Sequence, residues 1–185
     1  RIRLFAHGTL GGSNALVFND EPWHYPRKLV RGRGTLWARL PGVQAVAADC
    51  TAHYTPAYPV QRVERTSILL DSRLVLVLDE IDSREALDVS WQMHVRPEKV
   101  TIADDGASVE TPEGPRLRIF PAGPDTLKTE RIDGYPETPS NGSQRVSWRQ
   151  RLDRGILATL LAPEDDEAVC ANDSVWSGGF TDLDA

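Results

Sequence analysis

The sequence predicts an all-β protein, a large antiparallel β-sandwich of about a dozen strands with no major helix. Three observations carry that expectation. Arg65–Val95 reads RTSILLDSRLVLVLDEIDSREALDVSWQMHV, three strand-like runs joined by short acidic turns. Along the chain, apolar runs of strand length recur about every 8–15 residues, punctuated by Gly, Pro, Asn and Asp. No segment shows the 3.6-residue apolar repeat of an amphipathic helix.

Within that stretch, Ile68-Leu69-Leu70 closes at Asp71-Ser72, and Leu74–Leu78 closes at Asp79-Glu80 and Asp82-Ser83. The third run alternates: Leu87, Val89, Trp91, Met93 and Val95 against Asp88, Ser90, Gln92, His94 and Arg96. Successive strand side chains point to opposite faces, so the run describes one buried and one wet face. Leu74–Leu78, apolar at every position, suits a strand covered on both sides.

Taken in order, Ile2–Ala6 is a short apolar start, followed by the glycine-rich HGTLGGS of residues 7–13. That segment lacks the GK[ST] ending and the following helix of a phosphate loop. Asn14–Phe18 is a strand closed by the turn Asn19–Pro22. Leu29–Leu40 reads as a long strand in which Gly32 and Gly34 suggest a bulge or a close backbone approach. Trp37, beside Leu36, is expected in the core. The Pro41-Gly42 turn leads into Val43–Ala48, and Pro56 and Pro59 mark a loop before the strand carrying Arg62 and Arg65.

Val100–Ala103 and Ser108–Thr111 flank Asp104-Asp105-Gly106 as a hairpin. Arg116–Phe120 alternates, Leu127–Ile132 is a strand, and Gly134–Gly142 is a loop holding Pro136 and Pro139. Arg145–Leu152 alternates again, and the Asp153-Arg154-Gly155 turn opens the buried strand Ile156–Leu161. Glu164–Glu167 is an acidic turn before a last strand at Ala168–Cys170. The chain is read as one domain, 1–185, with loose ends at 1–12 and 177–185.

A chain of 185 residues can bury a real core, and its 40% hydrophobic and 26% charged content is ordinary for a globular protein. A net charge of −6 argues against a general nucleic-acid binder, which must neutralise phosphates. No apolar run approaches the ~18 residues needed to span a membrane. The chain starts at Arg1 with no Met, which reads as a fragment or a processed product.

Cys50 and Cys170 are too few for a disulfide framework and lack metal-ligand spacing. Pairing them would close a loop of roughly 120 residues, worth ~4–5 kcal/mol by chain entropy. Two separate buried thiols fit equally well, and the sequence leaves both open. His7, His24, His53 and His94 show no zinc-site spacing, and no G-x-S-x-G elbow supports a serine nucleophile. The carboxylates at Asp79-Glu80 and Glu164–Glu167 sit in predicted turns, where charge is simply solvated, so no glycosidase pair is identifiable.

The wet face offers a further constellation. Arg116, Arg118, Arg145, Arg149 and Arg151, with Gln92, His94 and Arg96, project from alternating strands. If those strands are neighbours they form a cationic strip, and arginine's planar fork suits the carboxylate or sulfate of an acidic polysaccharide. An ordinary solvated face, balanced by nearby Asp and Glu, is the simpler alternative. Trp23, Trp37 and Tyr54 are the aromatics that could stack on sugar rings.

Five segments, in order, resemble the heparinase II/III-like polysaccharide lyases. Ser13–Asp20 (SNALVFND) is similar to that family's HNT-apolar-D-G strand, and Asp49–Tyr54 (DCTAHY) to its D-x-T-x-A-Y segment. Arg65 with Ile68–Leu70 and Leu76–Ile81, Trp91-Gln92-Met93-His94, and Ile156–Pro163 match later family segments. The resemblance covers about residues 13 to 163. It implies the C-terminal β-sandwich of a lyase whose catalytic N-terminal α/α toroid is absent from this chain.

The chemistry so implied is β-elimination on a uronate-containing polysaccharide such as a glycosaminoglycan or alginate. The sugar carboxylate is neutralised, a Tyr or His removes the C5 proton, and an acid protonates the departing glycosidic oxygen. The toroid's Tyr and His have no counterpart here, so the catalytic residues are unknown and this chain alone is expected to be inactive. Asn14, Tyr54, Arg65, Asp79 and Trp91 occupy family-motif positions. His94, Arg96, Arg116, Arg118, Arg145 and Arg149 are the substrate-binding candidates. The family's histidine before Asn, a metal ligand in some members, is Ser13 here, so no metal or other cofactor is assigned. Expected partners are an acidic polysaccharide and the toroid domain or a partner chain, in a secreted or periplasmic setting. The alternative is a non-catalytic carbohydrate-binding or structural sandwich that docks on a partner.

Overall fold

In the computed structural model the described residues are 15–20, 32–95, 100–110, 116–123, 126–132 and 143–164. Among them the chain is all-β apart from one helical turn. The strands are β1 (Leu16–Phe18), β2 (Arg33–Leu40), β3 (Val43–Asp49), β4 (Val60–Leu70), β5 (Leu74–Val95), β6 (Val100–Ala103), β7 (Gly106–Val109), β8 (Leu117–Pro121), β9 (Thr126–Ile132) and β10 (Ser143–Pro163). The helical turn α1 spans Thr51–Tyr54.

Every described pairing is antiparallel, and the ladder runs β2-β3-β4-β5-β10-β8-β7-β6, with β1 added to β5 and β9 to β10. Among the described residues ten strands form, and three expected turns are absorbed into two long continuous strands. The expected breaks at Asp79-Glu80 and Asp82-Ser83 do not occur: β5 runs 22 residues without interruption. Its ladder with β10 shifts register between Leu152 and Arg154, opposite Leu87 and Asp82. Arg84, Glu85 and Ala86 lie exposed at that corner. The Asp153-Arg154-Gly155 turn is likewise absorbed into the 21-residue β10.

The corner folds one sheet into two layers. Trp148 and Thr159 are eleven residues apart on β10, which a straight strand would separate by roughly 36 Å. Their side chains instead meet, with Trp148 Nε1 donating to Thr159 Oγ1 at 3.0 Å. One core cluster accordingly draws Leu16, Phe18, Leu87, Val89, Trp91, Val146 and Trp148 from one layer and Val63, Ile81, Ile119 and Leu157 from the other.

Local chemistry sets the turns. Asp71 and Ser72 both have positive φ (46° and 57°), and Arg73 N–H bonds Leu70 C=O at 2.9 Å, a primed hairpin turn that matches strand twist. Gly42, after Pro41, has φ 73°, which Gly adopts without a Cβ clash. The expected hairpin at Asp104–Gly106 forms as β6–β7. Gly106 is required there because a Cβ would collide with the Ile119 carbonyl oxygen.

Three expectations of burial are corrected. Leu74–Leu78 is not covered on both sides: Val77 is buried, but Leu74, Leu76 and Leu78 are only half-buried on the outer face. Ser90, Gln92 and His94, expected on a wet face, are buried. Trp37, expected in the core, is 80% exposed, because β2 is the edge strand of the ladder and nothing described covers it. Asn14, Arg96, Ser13, Trp23, His7, His24, Cys170, the expected strand Ala168–Cys170 and the 134–142 loop lie outside the described residues.

Candidate functional site

Among the described residues, three places bring chemistry-bearing side chains together. The first is buried beneath α1. Arg65 on β4 and Asp79 on β5 are direct cross-strand partners. Arg65 Nε donates to Asp79 Oδ1 at 2.6 Å and Nη2 to Oδ2 at 2.9 Å, a two-pronged fork. The Asp79 side chain is 1% exposed and that of Arg65 27%. Burial pushes the Asp79 carboxyl up from its ordinary value, while the Arg65 charge and hydrogen bonds pull it back. Burial also works against the Arg65 charge, but Asp79 holds the guanidinium above its ordinary range.

Tyr54 and Cys50 complete this cluster. The Tyr54 hydroxyl donates to Leu16 C=O at 3.4 Å, and its ring meets Phe18 edge-on at 4.9 Å, so α1 is pinned to β1. Burial raises the Tyr54 phenol well above its ordinary pKa. Cys50 is a free thiol, 3.6 Å from Ala48 C=O, and burial raises its pKa as well. Asp49 Oδ1 accepts the Thr51 N–H at 2.9 Å at the start of α1. Tyr54 and Trp91 belong to one core cluster, with Cys50 packed against it. A phenol that stays protonated and faces a backbone carbonyl is not poised to take a proton from a polysaccharide.

The second place is the set of arginines, and the fold splits it between the two layers. Arg145 and Arg149 lie on the first half of β10, opposite His94 and Ser90 of β5. Arg116 precedes β8 and Arg118 lies on it, against the far end of β10. Most of these arginines face carboxylates: Arg149 meets Asp20 at 2.8 Å, Arg151 meets Asp88 at 3.3 Å, and Arg118 meets Asp105 at 2.9 Å. Arg116 sits between Glu110 at 3.2 Å and Glu164 at 3.5 Å. Arg145 Nη1 donates to Gln92 Oε1 at 3.4 Å, and Gln92 is 2% exposed. Arg118 also lies 4.8 Å over the Phe120 ring. A polar pocket of about 280 Å³ forms where Arg116, Arg118, Glu110, Glu164, Ser108 and Thr101 meet. Among the described residues, no group of three or more His, Cys, Asp and Glu is placed to hold a metal ion.

The third place centres on Trp37, named above as an aromatic able to stack on a sugar ring but expected in the core, and found exposed. On β2–β4 the core-side face extends past its cover and carries Trp37, Gln44, Val46, Ser67 and Leu69, with Val75 of β5, around an open groove of about 180 Å³. Register puts Trp37 opposite Val46 and Val46 opposite Ser67, one row across three strands. The signal was present: Thr35, Trp37 and Arg39 share one face of β2, and a tryptophan flanked by polar i±2 neighbours fits an open face better than a core. The other face of β2 is also open, with Leu36 and Leu40 exposed.

No protein-family model matches this sequence. No curated protein matches it either. The fold, however, has solved counterparts. A heparan sulfate lyase, HepC from Pedobacter heparinus, superposes with a TM-score of 0.63 at 11% identity over 81% of this chain. A heparinase III gene product gives 0.63 at 12% identity over 83%, and a further heparinase III gives 0.61 at 11% over 81%. This chain spans about a quarter of their length, 24%, 24% and 23% respectively. The fold is therefore that of a sheet domain found in heparinase III structures. Among the described residues no helix is long and apolar enough to cross a membrane.

Proposed function

We propose that this chain is the β-sandwich domain of a polysaccharide lyase, acting on an acidic, uronate-containing polysaccharide by β-elimination outside the cell or in the periplasm. The observation that carries this reading is the fold likeness to heparan sulfate lyases over four-fifths of the chain (81%). In the proposed reaction a base takes the C5 proton, the C4–O bond breaks, a C4=C5 double bond forms, and an acid protonates the departing oxygen. The base and acid lie on a helical domain outside this chain, and the sandwich supports that domain. Burial of Tyr54 and of the Arg65–Asp79 fork supports a structural part for the motif residues. The exposed Leu36, Leu40 and Ile156 offer apolar surface suited to packing against such a domain.

The test is direct. Incubated alone with heparan sulfate, alginate or hyaluronan, this chain produces no ultraviolet absorbance from unsaturated uronate, whereas a longer protein containing it with a helical domain does. Robust product from this chain alone overturns the assignment of the chemistry elsewhere. No product from the longer protein on any uronate polymer overturns the lyase reading.

A further inference from the structure

We infer that the open groove on β2–β4 is a glycan subsite in which Trp37 stacks on a sugar ring of an acidic oligosaccharide. The lyase reading supplies the class of glycan; the location rests on the groove alone. Trp37 is 80% exposed on edge strand β2, which pairs with β3, so its indole face is open to a ligand. A pyranose carries a face of C–H groups that packs on an aromatic face, while its rim of hydroxyls needs hydrogen-bond partners. The groove supplies both. Val46 and Leu69 extend the apolar floor, and Gln44 and Ser67 add an amide and a hydroxyl beside it.

The charge is also suitable. No carboxylate lines the groove. Arg39 lies two residues from Trp37 on the same face of β2 and is exposed, with no ion-pair partner among the described residues. Adjacent strands lie about 4.8 Å apart and i±2 residues about 7 Å, so the indole, the amide, the hydroxyl and the guanidinium fall within the reach of one or two sugar units. The arginines of the polar pocket are less suitable because Glu110, Glu164 and Asp105 already occupy them.

Calorimetric titration of the whole chain with a mannuronate hexasaccharide, a heparan sulfate hexasaccharide and a neutral cellohexaose tests this. An acidic probe binds and cellohexaose does not. Trp37→Ala weakens binding about tenfold and Trp37→Phe recovers part of it, while Arg39→Ala weakens binding and flattens its salt dependence. Because Trp37 is exposed, the urea midpoint of each variant stays that of the parent. Equal affinity of Trp37→Ala and parent, equal binding of the neutral probe, or no binding by the folded parent each overturns the subsite. Self-association that Trp37→Ala abolishes, without glycan binding, also overturns it and gives the face to a second copy of the chain. These outcomes are separate from the lyase reading, which the unsaturated product of the longer protein decides.

Discussion

Trp148 donates its indole N–H to the hydroxyl of Thr159, eleven residues further along the same strand, at 3.0 Å across the core. The bond joins the two layers formed when β10 turns its corner, and both residues are buried. Trp148→Phe keeps most of the packing but orphans the Thr159 hydroxyl, so unfolding free energy falls by about 1–3 kcal/mol. Adding Thr159→Val recovers part of that loss. A double-mutant cycle in urea measures the coupling, and strict additivity would refute the link.

The Arg65–Asp79 fork is expected to behave as a pair. Asp79→Leu strands the arginine beside an apolar wall and costs about 3 kcal/mol or more. Arg65→Met combined with Asp79→Leu removes both desolvation costs and recovers most of that stability. Chemical denaturation of the three variants checks this; a double variant as weak as the single one counts against it.

Tyr54 sets an alkaline limit. Its folded pKa is raised above the ordinary value of 10.0, so the folded state holds the proton more tightly than the unfolded chain. That contribution is fully present below about pH 10 and is lost as pH rises through the folded pKa. Urea midpoints therefore fall above pH 10, and Tyr54→Phe shows a shallower fall over the same range.

Asp49 gives the opposite limb. Hydrogen bonds from Thr51 lower its pKa from 3.8, so its contribution is present above that value and disappears as pH falls through the folded pKa. Asp49→Asn flattens stability against pH below about 4, read from thermal midpoints in acid.

The hairpin turn at Asp71-Ser72 carries two L residues with positive φ. Ser72→Gly relieves that strain and raises stability by about 0.5–1 kcal/mol, offset in part by backbone entropy. Gly106→Ala does the reverse, costing about 2 kcal/mol or more because its Cβ has no room beside the Ile119 carbonyl.

Period-two alternation made most strands legible in the sequence. Leu87, Val89 and Trp91 are buried as their alternation required. Turn chemistry at Pro41-Gly42, Asp71-Ser72 and Asp104–Gly106 marked hairpins correctly because those residues favour or permit the backbone angles needed. The acidic pairs misled for an instructive reason. Asp79 looks like a turn residue in isolation, and only its cross-strand neighbour Arg65 makes burial tolerable.

The sequence by itself determined the all-β class and most strand positions, since alternation and turn preferences are local properties of the chain. Tertiary structure decided the rest. It decided that β5 and β10 bend through corners rather than ending, which depends on contacts such as Trp148 with Thr159 between distant residues. It decided that the arginines divide between two layers, because strand order is not written in any one strand. And it decided that Trp37 stands open at an edge, since exposure depends on which neighbours a strand has and which it lacks.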